Sequence, residues 1–316
     1  MRHQILLLTI GALFISGCNI VPEKKLPGFK LHDAPELKFP VPTDSSCPAH
    51  WDNGTFYIFS SSRDATRLSG SDIFHLEQTI PVQWDKEKER SRWIEATYKA
   101  PDGTLYGWYH HEMGPICKER LPEKWFAAAI IGQGKSYDNG ATWEDMGFTI
   151  QSDPNTYPCN TLNKYFPGGN GNFSVVVDQK EEYIYFFIST YGDFSEQGVS
   201  VARMKYDDIE SPVGKVWKWH NGQWSEPGLC GKVTPIFPAV GDWHSNSPDA
   251  FWGPAVHWNS YLKSYVMLLN RAINSDWWQE GIYISFNDDL SNPNGWSNPQ
   301  LLRKDGSWYP LVVGTN

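Results

Sequence analysis

Three carboxylates in this chain stand just ahead of, or at the start of, extended apolar segments, and carboxylates set this way can act together. Glu95 lies in Trp93-Ile94-Glu95-Ala96, between apolar neighbours. A glutamate so flanked is expected to be half buried or to face an interior channel, where burial favours its neutral form. Asp44, in Thr43-Asp44-Ser45-Ser46, precedes Pro48-Ala49-His50-Trp51 and reads either as a turn aspartate or as a reactive group. Asp249, in Ser247-Pro248-Asp249-Ala250-Phe251-Trp252, reads either as a loop residue or as a further acid. Two such carboxylates brought together can divide proton donation from proton acceptance or nucleophilic attack.

Other polar groups flank apolar runs in the same way: His50, His110, His111, Glu112, His257 and Arg271. His110-His111-Glu112 is the densest cluster and suits hydroxyl groups or a metal ion, but its spacing does not define a metal site. Adjacent strand residues point to opposite faces, so only one of His110 and His111 should face a channel. Arg271 suits either a ligand carboxylate or a salt bridge to a channel aspartate. Asn172, in Gly169-Asn170-Gly171-Asn172-Phe173-Ser174, offers an amide that can bind a hydroxyl but cannot transfer a proton as a carboxylic acid does. Trp108 and Trp252 read as stacking platforms or as packing residues.

The elements that must position these groups repeat along the chain. Four segments share one form, a strand, a polar turn and a strongly apolar strand: 49–59, 96–109, 174–187 and 256–269. Asn53-Gly54 and Asp102-Gly103 are hairpin turns. Each hairpin is followed by a more polar one that leads to a tryptophan: Trp84, Trp143, Trp224 and Trp296. Four strands per unit, repeated with irregular loops, predict a β-propeller. Ser136-Tyr137-Asp138-Asn139-Gly140-Ala141-Thr142-Trp143 matches the Asp box, a hairpin turn in which the Asp accepts backbone hydrogen bonds and the Trp packs between blades. That motif supports the fold and is assigned no catalytic role. A fifth unit is expected to start at 307–313, completed by residues around 37–41 unless the chain is a fragment.

Composition narrows the function. The 316 residues carry a net charge of −9, which argues against nucleic acid as the main partner. Sixteen Trp, 15 Tyr and 16 Phe fit both inter-blade wedges and ring-stacking platforms. At the N-terminus, Met1-Arg2-His3, an apolar run from Ile5 to Ile15 and then Ser16-Gly17-Cys18 have the form of a signal peptide ending in a lipobox. Residues 1–17 are expected to be removed, Cys18 acylated and 18–40 to form a tether to the 41–316 domain. Asn19 after the cysteine resembles outer-membrane lipoproteins of Gram-negative bacteria. Cys47, Cys117, Cys159 and Cys230 remain, and an oxidising compartment permits two disulfides in three pairings.

With its repeats, Asp44 ahead of Pro48-Ala49-His50-Trp51, and Trp93-Ile94-Glu95-Ala96 ahead of the second hairpin, the chain resembles the five-bladed propeller glycoside hydrolases, the superfamily of arabinanases, xylosidases and invertases. The resemblance covers roughly residues 40–316 at the level of architecture. It implies a channel lined by the first strand of each blade and an acidic residue near the start of each of the first three. Asp44 would then be base or nucleophile, and Glu95 would orient the acid or raise its pKa. Asn172 departs from the third position, and Asp249 is the expected replacement acid. The partner expected is a glycan, bound by His50, Trp108, His110, Glu112, Asn172, Trp252, His257 and Arg271. No cofactor is expected; a channel calcium is left open, without a visible ligand set. The alternative expectation is a non-catalytic propeller that binds glycan or protein.

Overall fold

Short runs of aromatic and β-branched residues, broken every few positions by Asn, Asp and Gly, cannot sustain a helix and instead form paired strands. The structure, a computed structural model, describes residues 31–62, 64–86, 92–119, 126–162, 166–274 and 278–314. The leader, Cys18 and most of the tether lie outside them. Among the described residues the fold is all-β, with four short 3-10 turns and no α-helix.

The first meander is β1 (Ala49–Asp52), β2 (Thr55–Ser61), β3 (Ala65–Asp72) and β4 (His75–Pro81), paired in that order. After the two-residue β5 (Gln83–Trp84) comes the second: β6 (Trp93–Lys99), β7 (Leu105–Ile116), β8 (Phe126–Ser136) and β9 (Thr142–Ile150). The third is β10 (Gly168–Val177), β11 (Tyr183–Thr190), β12 (Gly198–Lys205), β13 (Trp217–His220) and β14 (Gln223–Pro227). The two-residue β15 (Phe237–Pro238) pairs with β12, and the fourth meander is β16 (Ala250–Asn259), β17 (Ser264–Ala272), β18 (Gln279–Asn287) and β19 (Gln300–Lys304). The first strands are neighbours in chain order, β1 against β6, β6 against β10, and β10 against β16. Everything from Ala34 onward belongs to one unit.

Alternation along each middle strand explains how the meanders stack face to face. Ile184, Phe186 and Ile188 of β11 pack on Trp108, Ile131 and Ile150 of the second meander. Tyr185 and Phe187, one residue out of phase, pack on Met267, Leu269 and Trp296 of the fourth. Between the first two meanders Trp143 is the wedge, edge-on to Phe59 at 5.9 Å and stacked on Trp84 at 5.6 Å. The Asp box builds that wedge. Asp138 accepts the amides of Ala141 and Thr142 at 2.9 Å, and the Trp143 indole donates to the Gly140 carbonyl at 2.9 Å. Gly107 must be glycine because a Cβ there would stand 2.5 Å from the Trp143 ring.

The expected fifth unit is not a sheet. Residues 305–314 form no strand, and the reason is local: Tyr309 has φ +57°, and Pro310 cannot donate to a ladder. The 307–314 segment instead runs as a strap between the fourth and first meanders. Val313 joins Phe39 and Val41 over the Cys47, Phe56, Ile58 and Leu68 cluster, so the two expected partners meet as loops.

Among the described residues one disulfide is present, Cys117–Cys159, spanning 42 residues. Cys47 is a buried thiol, pushed up to about 11 by burial, and Cys230 is exposed. Reducing the bridge is expected to cost about 2–4 kcal/mol by releasing a loop of that length in the unfolded chain. Denaturant titrations with and without a phosphine reductant measure the change, and coincident midpoints would refute it.

Candidate functional site

Three of the four inner strands, β6, β10 and β16, are interrupted by register shifts that re-aim their side chains. The β6–β7 register slips between Ile94 and Ala96, which makes Glu95 the bulged residue. The β10–β11 register slips between Gly171 and Phe173, with Asn172 at φ +44°. On β16 the slip falls between Trp252 and Ala255. Bulges re-aim side chains at the cost of ladder pairing, and asparagine is among the few residues that accept a left-handed backbone cheaply.

Glu95 is 3% exposed, and its Oε2 accepts the Ser46 amide at 2.9 Å. Burial raises its pKa; the His110 imidazole and the Ser46 bond oppose the rise, and the Asp44 charge adds to it. Asp44 therefore lies within electrostatic reach of Glu95. Its own Oδ1 accepts the Tyr309 hydroxyl at 3.1 Å. Burial first, and then the Asp44 and Glu95 charges, push the Tyr309 phenol far above its ordinary range, so it remains a donor. On the far side of Glu95, His110 is 2% exposed with no hydrogen bond to either ring nitrogen, its Nε2 3.7 Å from Glu112 Oε1. Gly171 makes room for that ring, since a Cβ there would come within 3.1 Å of it.

Asn172 faces the same cluster. Its Oδ1 accepts the Tyr191 hydroxyl at 2.8 Å, and burial, with the Glu95 charge adding, keeps that phenol protonated. Rings close the surroundings: Trp93 5.2 Å from His110, Phe166 5.3 Å from Tyr191, and Trp308 and Tyr309 edge-on to Trp252. The structure thus brings Asp44, Glu95, His110, Glu112 and Asn172 together, and adds Ser46, Tyr191 and Tyr309.

The other expected residues stand apart from that cluster or within packing. Asp249 is held by Arg271 through two bonds of 2.8 and 2.9 Å, and the same guanidinium reaches Glu280 at 2.8 Å. Trp108 is fully buried, its indole donating to Gln133 at 2.9 Å. Trp252 is also buried, bonded to Gln279 at 3.2 Å, and carries Trp308 and Tyr309 on its ring. His50 is buried against Tyr57, with its pKa lowered to about 4 by burial. His111 packs on Phe148 on the opposite face from His110. No group of three or more His, Cys, Asp or Glu side chains able to hold a metal ion occurs among the described residues.

Two cavities flank the pair. One of about 550 Å³ is lined by all four inner strands, including His50, Glu95, Lys99, Ser174 and His257. The other, of about 440 Å³, is lined by Asp44, Ser46, Trp308 and Tyr309. Leu311 and Val313 of the strap border both, so the strap runs between the space beside Glu95 and the space beside Asp44.

With this geometry in hand, comparison with known proteins concerns the fold. No family model and no curated protein sequence matches the chain. Among solved structures, an exo-1,5-α-L-arabinanase from a bovine ruminal metagenomic library superposes with a TM-score of 0.50 at 12% identity, over 83% of this chain and 79% of that one. An exo-β-1,3-galactanase from Phanerochaete chrysosporium, solved with β-1,3-galactotriose, gives 0.49 at 12% identity, over 82% of this chain and 50% of its own, so the present chain spans about half of it. A thermostable family-43 glycoside hydrolase gives 0.49 at 12% identity, over 79% and 70%. The fold is therefore shared with the arabinanase.

Proposed function

We propose that the protein is an exported, lipid-anchored glycoside hydrolase that cleaves a poly- or oligosaccharide by paired-carboxylate chemistry. Its plan is a five-bladed propeller in which the fifth position is held by the loops at 37–48 and 307–314. The observation that carries the reading is the meeting of Asp44 and Glu95, distant in sequence, at the N-terminal ends of the first two inner strands. Burial raises the pKa of Glu95 and favours its acid form, which suits proton donation to the leaving oxygen. Asp44, carrying a hydroxyl donor and partly exposed, suits the base or nucleophile. In this reading Asn172 and Glu112 bind sugar hydroxyls. Asp249 is bound to Arg271 and takes no part in proton transfer.

A second reading, a glycan-binding propeller without turnover, is favoured by two features. Asn172 stands where the resemblance expects an acid, and Asp44 and Glu95 line different cavities. One experiment separates the two. The mature protein is incubated with arabino-, galacto- and xylo-oligosaccharides, products are read by chromatography, and binding is read by calorimetry. Hydrolysis abolished in Asp44→Asn supports the hydrolase. Binding without product, unchanged in Asp44→Asn, supports the alternative. The anomer first released, followed by proton NMR, then assigns retention or inversion.

A further inference from the structure

We propose that Tyr309 is the positioning residue for Asp44, delivered by a C-terminal strap that Asn270 clamps. The inference rests on the hydrolase reading only for its kinetic consequence. Its structural basis is independent.

A tyrosine at φ +57° is a strained backbone state, since a bulky side chain rarely occupies it. Such a state persists only where its surroundings hold it. Asn270 of β17, fully buried, holds it from two sides. Its amide nitrogen donates to the Ser307 carbonyl at 3.0 Å, and its Oδ1 accepts the Tyr309 amide at 3.1 Å. Trp252 supports the rings of Trp308 and Tyr309 from below, with centroids at 5.8 and 6.0 Å. The strap is thus fixed before and at Tyr309, and the phenol tip has one direction left, toward Asp44 Oδ1.

A hydrogen bond donated to a carboxylate stabilises its charged form and fixes the orientation of its second oxygen. Asp44 has other titratable neighbours that act on it. Glu95 of β6 lies within electrostatic reach; His110 of β7 acts on Glu95 in turn, and the Glu95 charge reaches Tyr191, after β11. Tyr309 differs from these in direct contact and in being a donor at every accessible pH.

The test is Tyr309→Phe, which keeps the ring and removes the hydroxyl. Turnover, kcat, is expected to fall about tenfold with KM nearly unchanged. In carboxyl-labelled protein the 13C resonance that disappears in Asp44→Asn should change its chemical shift in Tyr309→Phe relative to the wild type, because the carboxylate loses its donated hydrogen bond. This readout needs no substrate. If the wild type turns out not to hydrolyse glycans, a moved resonance still upholds the strap's role while the hydrolase reading fails. An unmoved resonance overturns the proposal whatever the activity. Should Tyr309→Phe not fold, Asn270→Ser loosens the clamp without touching either group and should move the resonance in the same direction. A stationary resonance there also overturns it.

Discussion

Glu95→Gln is expected to lower turnover by about 10²–10⁴-fold, the usual worth of one positioned acid, or roughly 3–5 kcal/mol in the barrier. Glutamine keeps the shape and can still accept the Ser46 amide, so the loss isolates the proton. The same substitution should leave the fold equally stable or more stable at neutral pH. Burial raises the folded-state pKa of Glu95 above its unfolded value. Below the unfolded pKa both states hold the proton and nothing is lost. As pH rises above it, the unfolded chain releases the proton while the folded chain retains it, and folding stability falls until the folded pKa is passed. Glutamine removes that penalty. Activity should follow the same proton, falling on the alkaline side as Glu95 ionises, and that limb should vanish from the residual activity of the variant. Full activity in Glu95→Gln, or a lower unfolding midpoint at pH 7 than at pH 5 in the variant alone, would sink the assignment.

Arg92→Met is expected to destabilise the protein by about 3–5 kcal/mol, since it strands a buried charge. Arg92 and Asp145 meet at 2.7 Å with both side chains almost fully enclosed. Asp145 also accepts the Tyr109 hydroxyl and the Gly147 amide at 2.9 Å, and the guanidinium lies 4.5 Å over the Trp84 ring. The pair joins β9 to the start of β6, three residues before Glu95, so its loss should also loosen the site. Acidification should shrink the penalty, because an unpaired buried carboxyl is cheaper when protonated. Arg92→Met combined with Asp145→Leu should recover part of the loss. Urea unfolding at pH 7 and pH 4.5 measures both statements. A single-variant cost below about 1 kcal/mol would place this pair among the weak exposed ones instead.

Much of this fold is local and could be read from the residues. Hairpin turns at Asn53-Gly54 and Asp102-Gly103 close β1–β2 and β6–β7, and the Asp box forms the turn its motif specifies. The four-strand rhythm sets β1–β4, β6–β9 and β16–β19, with one further strand in β10–β14. The apolar neighbours of Glu95 predict a residue half buried or facing an interior channel, and its burial at 3% exposure comes with the bulge that re-aims it. The aromatic residues were less legible. Trp108 and Trp252 carry the composition expected of stacking platforms, yet their depth in the sheets makes them packing residues, and composition does not report depth. The disulfide pairing was likewise open until Cys117 and Cys159 were seen together.

What the sequence determined by itself was the strand alternation, the turns and which carboxylates head the inner strands, because these depend on neighbours a few residues apart. What only the tertiary structure decided was which of those groups meet. Asp44 finds Tyr309 across 265 residues, while Asp249 turns aside to Arg271. Both outcomes depend on the twist and stacking of successive sheets and on the path of a strap with no strand partner. Neither leaves a local pattern, since contacts between distant segments are set by the summed packing of everything between them.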